Sequence, residues 1–120
     1  MKATRQPLSS CHERRFALLW AEAGGPPLIP QYRFMESRTW RADFAHVASR
    51  TLIEIDGAVW GTRYGRRGGH EGHGKIRDCE KMLAAWLLGW STVRLVPQQI
   101  TSIIIGRIAA CINEKQNPTR

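Results

Sequence analysis

Long apolar runs are missing from this 120-residue chain. No stretch approaches the ~20 residues that span a bilayer, which excludes a transmembrane helix. Cysteine is scarce: Cys11, Cys79 and Cys111 cannot all pair, and none stands in a CxxC. That argues against a disulfide scaffold and for reduced thiols in a cytoplasmic setting. Met1–Pro7 is polar and basic with no greasy segment after it, so no secretory signal is expected. Acidic residues are also few. Ten Asp and Glu face 18 Lys and Arg, giving a formal charge of +8 and a pI near 10.3. A small domain of that sign suits a polyanion, nucleic acid foremost, although charge says nothing about fold. Apolar residues (42%) suffice for a core, charged ones (23%) argue against disorder, and the length suits one domain over 1–120.

Punctuation divides the chain. Ser9-Ser10 precede a helical pattern of Phe16, Leu19, Trp20 and Ala23 that Gly24-Gly25-Pro26-Pro27 ends. Gln31–Met35 is aromatic-rich and strand-like. Trp40–Val47 alternates, and Thr51–Asp56 is a third strand. Residues 57–74 hold glycine at 57, 61, 65, 68, 69, 72 and 74, so a Gly/Arg-rich mobile loop is expected over 57–75. Ile76, Cys79, Met82, Leu83, Trp86 and Leu87 then make one apolar helix face, with Gly89 as C-cap. Ser91–Val96 is a strand. Ile100–Ile112 has apolar residues at 100, 104, 108 and 111–112 and predicts a helix, with a strand through Ile103-Ile104-Ile105 as the alternative. The core then spans about 10–112, with 113–120 a frayed tail. The order is α-β-β-β-α-β-α, an α/β fold on one mixed sheet whose last strand lies parallel to an earlier one.

The chemistry gathers at Leu52-Ile53-Glu54-Ile55-Asp56-Gly57. Strand alternation puts Glu54 and Asp56 on one face, roughly 7 Å apart, and sends Ile53 and Ile55 to the core. Two carboxylates at the end of a greasy strand are costly unless a positive charge joins them. Asp43, on the preceding strand, can reach Glu54 across a hairpin. Three converging carboxylates suit a hard divalent cation, Mg²⁺ with Mn²⁺ as substitute, and the main-chain carbonyl of Ile55 offers another oxygen. The plainer alternative pairs these acids with Arg41, Arg50 or Arg94.

Several fragments, in order, resemble the PD-(D/E)xK nuclease superfamily, most closely its small phage and prophage endonucleases of the Holliday-junction resolvase type. They are Tyr32-Arg33-Phe34, Trp40-Arg41-Ala42-Asp43-Phe44-Ala45, Glu54-Ile55-Asp56-Gly57, Trp60-Gly61, Arg77-Asp78-Cys79-Glu80-Lys81 and Leu88-Gly89-Trp90-Ser91-Thr92-Val93-Arg94-Leu95. The likeness covers roughly residues 10–100. It implies a restriction-endonuclease-like core and Mg²⁺-dependent hydrolysis of DNA phosphodiesters, four-way junctions foremost, by a homodimer in the cytoplasm of a host cell. Asp43 matches the acid of the first half-motif and Glu54 that of the second. Position 56, a lysine in the superfamily at large, is aspartate here, so Asp56 adds a metal ligand and the cation must come from elsewhere. Lys81 is the first choice and Lys75 the second; an ordinary solvated helix lysine is the bland alternative. Glu13 resembles a first-helix acid that several resolvases add to the metal site. It is equally the fourth residue of a Ser10-x-x-Glu13 capping box.

Arg63, Arg66 and Arg67, with His70, Lys75 and Arg77, are suited to contacting DNA phosphates. A zinc site from His70, His73 and Cys79 lacks a fourth ligand. Trp60 could stack on a base; Trp20, Trp40 and Trp86 read as core, and His46 as a packed histidine. Apolar residues left over on the last helix, Ile103–Ile112, could build a dimer interface. Two other functions stay open: a nicking, mismatch-type or restriction-associated endonuclease acting on duplex, and a basic nucleic-acid-binding module without catalysis.

Overall fold

The first helix begins where the sequence places its cap. The structure, a computed structural model, describes residues 10–57 and 68–116, with the backbone alone for 68–73. Ser10 is extended, and its hydroxyl oxygen accepts from Glu13 N at 3.2 Å, opening α1 (Cys11–Glu22). Phe16 and Trp20 bury one face of α1. The helix stops at Gly24, whose φ of +73° favours glycine. Trp20 Nε1 then donates to Pro26 O at 2.7 Å, folding the chain back over the indole.

Gly25 lies against that ring. A Cβ built there would stand 2.3 Å from the buried indole, which has nowhere to go. Gly25→Ala is therefore expected to destabilise the fold by about 1–3 kcal/mol, the usual cost of overpacking. Urea unfolding checks it; an unchanged midpoint would contradict this packing.

Four strands form one mixed sheet in the order β1-β2-β3-β4: β1 (Ile29–Tyr32), β2 (Ala42–His46), β3 (Thr51–Ile55) and β4 (Ser91–Leu95). The first two pairings are antiparallel, and β3–β4 is parallel, joined through α2 (Gly68–Leu87). Among the described residues the domain is thus α/β with three α-helices, α3 (Ser102–Gln116) being the last. Leu52 and Ile53, adjacent on β3, enter different cores, as alternation requires. Ile53 joins Phe16, Trp20, Phe44 and Leu95 with Ile105, Ala109 and Ile112 of α3. Leu52 joins Ala42, Ala45 and Trp90 with Ala85 of α2.

The structure corrects several expectations. β1 runs from Ile29 to Tyr32, starting two residues and ending three residues ahead of the predicted Gln31–Met35. Residues 33–41 form a loop braced by Arg33, which donates to Arg38 O at 2.7 Å and Glu36 O at 2.8 Å. Residues 68–75, predicted as part of the loop, are helical. Each glycine weakens a helix by about 1 kcal/mol, yet lengthening an existing helix adds a bond per residue without a new nucleus. Residues 113–116 continue α3 and are not a frayed tail. The isoleucine run 103–105 is helical, and α3 buries Ile105, Ala109 and Ile112, one step round from the predicted stripe. Thr101 Oγ1 accepts from Ile104 N at 3.3 Å at its start.

The largest correction concerns α2. Ile76, Cys79, Met82, Leu83, Trp86 and Leu87, expected to face the core, are all exposed. The helix instead turns Ala85 to the sheet, where Ala42 and Ala45 leave room for a close approach, and Lys81 reaches Glu54. Gly89, at φ +91°, ends the turn after the helix as predicted.

Candidate functional site

Extending the β2–β3 register one place beyond Phe44↔Ile53 sets Asp43 opposite Glu54. Such antiparallel partners share a face, their Cβ atoms about 4.5–5.5 Å apart. The amide of Ile55 donates to Asp43 Oδ2 at 2.6 Å, which fixes the carboxylate at the end of the hairpin. Strand pairing alone therefore brings these two acids together.

Glu13 is the third acid. The Ser10 cap places it in the first turn of α1, where it is only 5% exposed. Its carboxyl hydrogen-bonds that of Asp43. The cap bond and the contact with Asp43 thus coexist, since Ser10 uses the backbone of Glu13 and leaves its side chain to the sheet. Burial raises Asp43 from an ordinary 3.8 to about 7. The Ile55 hydrogen bond works against that rise, while the charges of Glu54 and Glu13 and the Glu13 hydrogen bond add to it.

Lys81 is the cation of the cluster. Its Nζ lies 2.8 Å from Glu54 Oε2 and donates to Arg41 O at 2.7 Å. Both partners of this ion pair are about four-fifths buried, so removing either leaves a poorly solvated charge. α2 sets the position: Lys81 is one turn before Ala85, the residue that packs on the sheet.

Asp56 lies beyond the end of β3, with its amide on Leu95 O at 2.7 Å. Its carboxylate is 3.3 Å from an Arg94 nitrogen that also donates to Asp78 at 3.0 Å. Arg94 stands opposite Glu54 in the parallel β3–β4 register. The structure therefore gathers Glu13, Asp43, Glu54 and Lys81, and gives Asp56 to a neighbouring ionic network. Sequence reasoning named Arg94 among the partners for these acids but missed Asp78, because only the parallel register brings α2 and β4 together there.

Ile55 contributes its backbone at the edge of the cluster. Lys75 and Arg77 are exposed on α2 and form no ion pair among the described residues. Arg63, Arg66, Arg67 and Trp60 lie outside the described residues, as do the side chains of His70 and His73 that the zinc alternative needs. His46 is packed: it is buried, and its Nδ1 is 2.7 Å from Ser49 Oγ. Its burial lowers its pKa and favours the neutral ring.

Among the described residues, no three His, Cys, Asp or Glu side chains form a metal cage. The oxygens of the cluster are engaged by one another, by the Ile55 amide and by Lys81. Their chemistry nonetheless fits a hard divalent cation. Glu13, Asp43 and Glu54 offer only carboxylate oxygen, and the raised pKa of Asp43 beside two other acids marks a place where positive charge is in demand. No helix among the described residues is long and apolar enough to cross a membrane. No known family, curated protein or solved structure matches the chain.

Proposed function

We propose that this chain is a Mg²⁺-dependent DNA endonuclease with a restriction-endonuclease-like core, selective for branched DNA and foremost for the four-way junction. One observation carries this: Asp43 and Glu54, the two acids of the resemblance, are cross-strand neighbours, with Glu13 bonded to one and Lys81 paired to the other. The element order α-β-β-β-α-β-α supports it.

Asp43, Glu54 and Glu13 would hold the cation; Asp56 is a more distant candidate because Arg94 already neutralises it. A divalent ion there, Mg²⁺ or Mn²⁺, supplies Lewis-acid activation of water and neutralises charge building on the phosphate. The chain's own residues do the positioning. The Ile55 amide fixes Asp43, so that oxygen need not be ordered during the reaction. Lys81, held at Glu54 in place of a lysine at position 56, orients a water or a phosphate oxygen. Lys75 and Arg77, with the Arg63, Arg66, Arg67 and His70 segment, hold DNA through its backbone, so shape counts for more than sequence.

A second proposal keeps the DNA and removes the chemistry. Glu54 and Asp56 each already have a basic partner, which is how purely structural acids in a basic binding module would look. One gel series separates the two: cleavage and mobility shift on four-way junction, flap, mismatch and linear duplex, with Mg²⁺ or Mn²⁺. Junction-selective cutting is expected. Lys81→Met should slow it by about 10²–10³-fold, the usual loss of one preorganised cationic or hydrogen-bond donor. Equal cutting of linear or mismatched duplex would make the protein a duplex endonuclease. Binding without any cutting would leave the module.

A further inference from the structure

On α3 the stripe that the sequence marks as apolar is not the one that is buried. Ile105, Ala109 and Ile112 are buried, whereas Ile104 and Ile108 are half-buried and Cys111 is exposed. The reason is a cavity of about 380 Å³ between α3 and strands β3 and β4, a size within the range of small-ligand pockets. Thr51 and Val93 line it from the sheet, and Ile104, Ile108 and Cys111 from the helix. The Thr51 hydroxyl is already engaged by Ser49 Oγ at 2.9 Å, so the interior suits an apolar body. Arg107 and Lys115 also line it, each four residues from Cys111 on one helix face and about 12 Å apart along the axis. Both are exposed, and neither forms an ion pair among the described residues.

We infer that this cavity binds a small amphipathic anion, a free alkyl carboxylate of medium chain length, with its tail against Ile104 and Ile108 and its head at Arg107. Two demands select that occupant: an apolar interior to fill and two cations to neutralise. A phosphate backbone supplies the charge without the apolar body. A second copy of a chain of net charge +8 would bring more positive charge to Arg107 and Lys115. The residues after α3, Asn117-Pro118-Thr119-Arg120, add another cation and no large apolar side chain. A carboxylate on an alkyl chain meets both demands. Its two oxygens match the arginine fork, and its methylenes leave water for the isoleucines.

The site stands independently of the nuclease proposal. Thr51 and Ile53 share the face of β3 that meets α3, whereas Glu54, paired with Lys81, lies on the face that meets α2.

Alkylation of the full chain by a neutral thiol reagent, mapped cysteine by cysteine, tests it. Octanoate should slow the reaction at Cys111 and leave Cys11 and Cys79, which do not line the cavity, unchanged. From butanoate to octanoate, each added methylene should tighten the protection about fourfold. 1-Octanol has the tail without the charge and inorganic phosphate the charge without the tail. Each should protect at least about tenfold less well. Arg107→Gln combined with Lys115→Gln should weaken octanoate by about tenfold or more. Ile108→Trp, which fills the cavity, should abolish its effect while circular dichroism is retained. The inference is overturned if octanoate fails to protect Cys111 in the wild-type chain, if 1-octanol protects equally, or if the double variant changes nothing. Protection by junction DNA or by raised protein concentration, with none by octanoate, also overturns it, giving the two cations to a phosphate backbone or the face to a second copy.

Discussion

Asp43→Asn and Glu54→Gln are each expected to lower Mg²⁺-dependent cleavage of junction DNA by about 10³-fold or more, with DNA affinity nearly unchanged. Both replacements keep shape and remove charge. An amide at position 43 can still accept from the Ile55 N–H now bonded to Asp43 Oδ2, so the strand end stays in place. What goes is the anionic oxygen that a hard cation requires. Affinity should survive because the phosphate contacts come from cations elsewhere on the surface. Glu54→Gln has a side effect, leaving Lys81 without its carboxylate, and a modest loss of stability should accompany the loss of cutting. Single-turnover cleavage beside a mobility shift on the same junction checks both. Cleavage that persists in Asp43→Asn would remove that residue from the chemistry.

The second large effect is on stability. With divalent ions chelated, the contribution of Asp43 to the stability of the wild-type chain should fall as pH rises from about 4 to 8. Asp43 titrates near 3.8 unfolded and about 7 folded. Between those values the native state keeps a proton that the unfolded chain has lost, so the unfolding free energy falls with rising pH. Its contribution is complete below pH 3.8 and gone once pH passes about 7. Linkage arithmetic over that span gives at most about 4 kcal/mol. His46, its pKa lowered by burial, acts in the opposite sense and favours neutral pH. The difference between wild type and Asp43→Asn isolates the effect. In urea at pH 8 the variant should be the more stable, and its advantage should shrink towards pH 5. Parallel pH profiles for the two proteins would contradict the raised pKa of the buried Asp43.

Much of the fold was legible because punctuation and periodicity agree. Ser10, Gly24 and Gly89 mark helix ends that the backbone respects, and the alternation around Ile53 and Glu54 put one in the core and the other in the site. Asp43 and Glu54 could be paired on paper because a short hairpin leaves few registers. Asp56 meets a different partner from Glu54 for a physical reason: it lies one residue past the end of β3, where Arg94 of the parallel strand pairs with its carboxylate. The face of α2 was misjudged because an apolar stripe reads the same whether it meets a sheet or another helix. Ala85 on the sheet and Lys81 on Glu54 show which side turns inward. The double use of Glu13, backbone to the cap and carboxyl to Asp43, was present in the sequence as two separate readings that proved compatible.

Calorimetric titration of Mn²⁺ and Mg²⁺ into the metal-free chain at pH 7, in two buffers of different ionisation enthalpy, tests the acidic cluster most directly. Saturable binding is predicted, with protons released as the ion displaces the one that the raised pKa of Asp43 retains. Glu54→Gln and Asp43→Asn should each abolish the heat. Absence of saturable binding in the wild-type chain, or binding that both variants leave intact, would contradict the claim that these three carboxylates form a cation site.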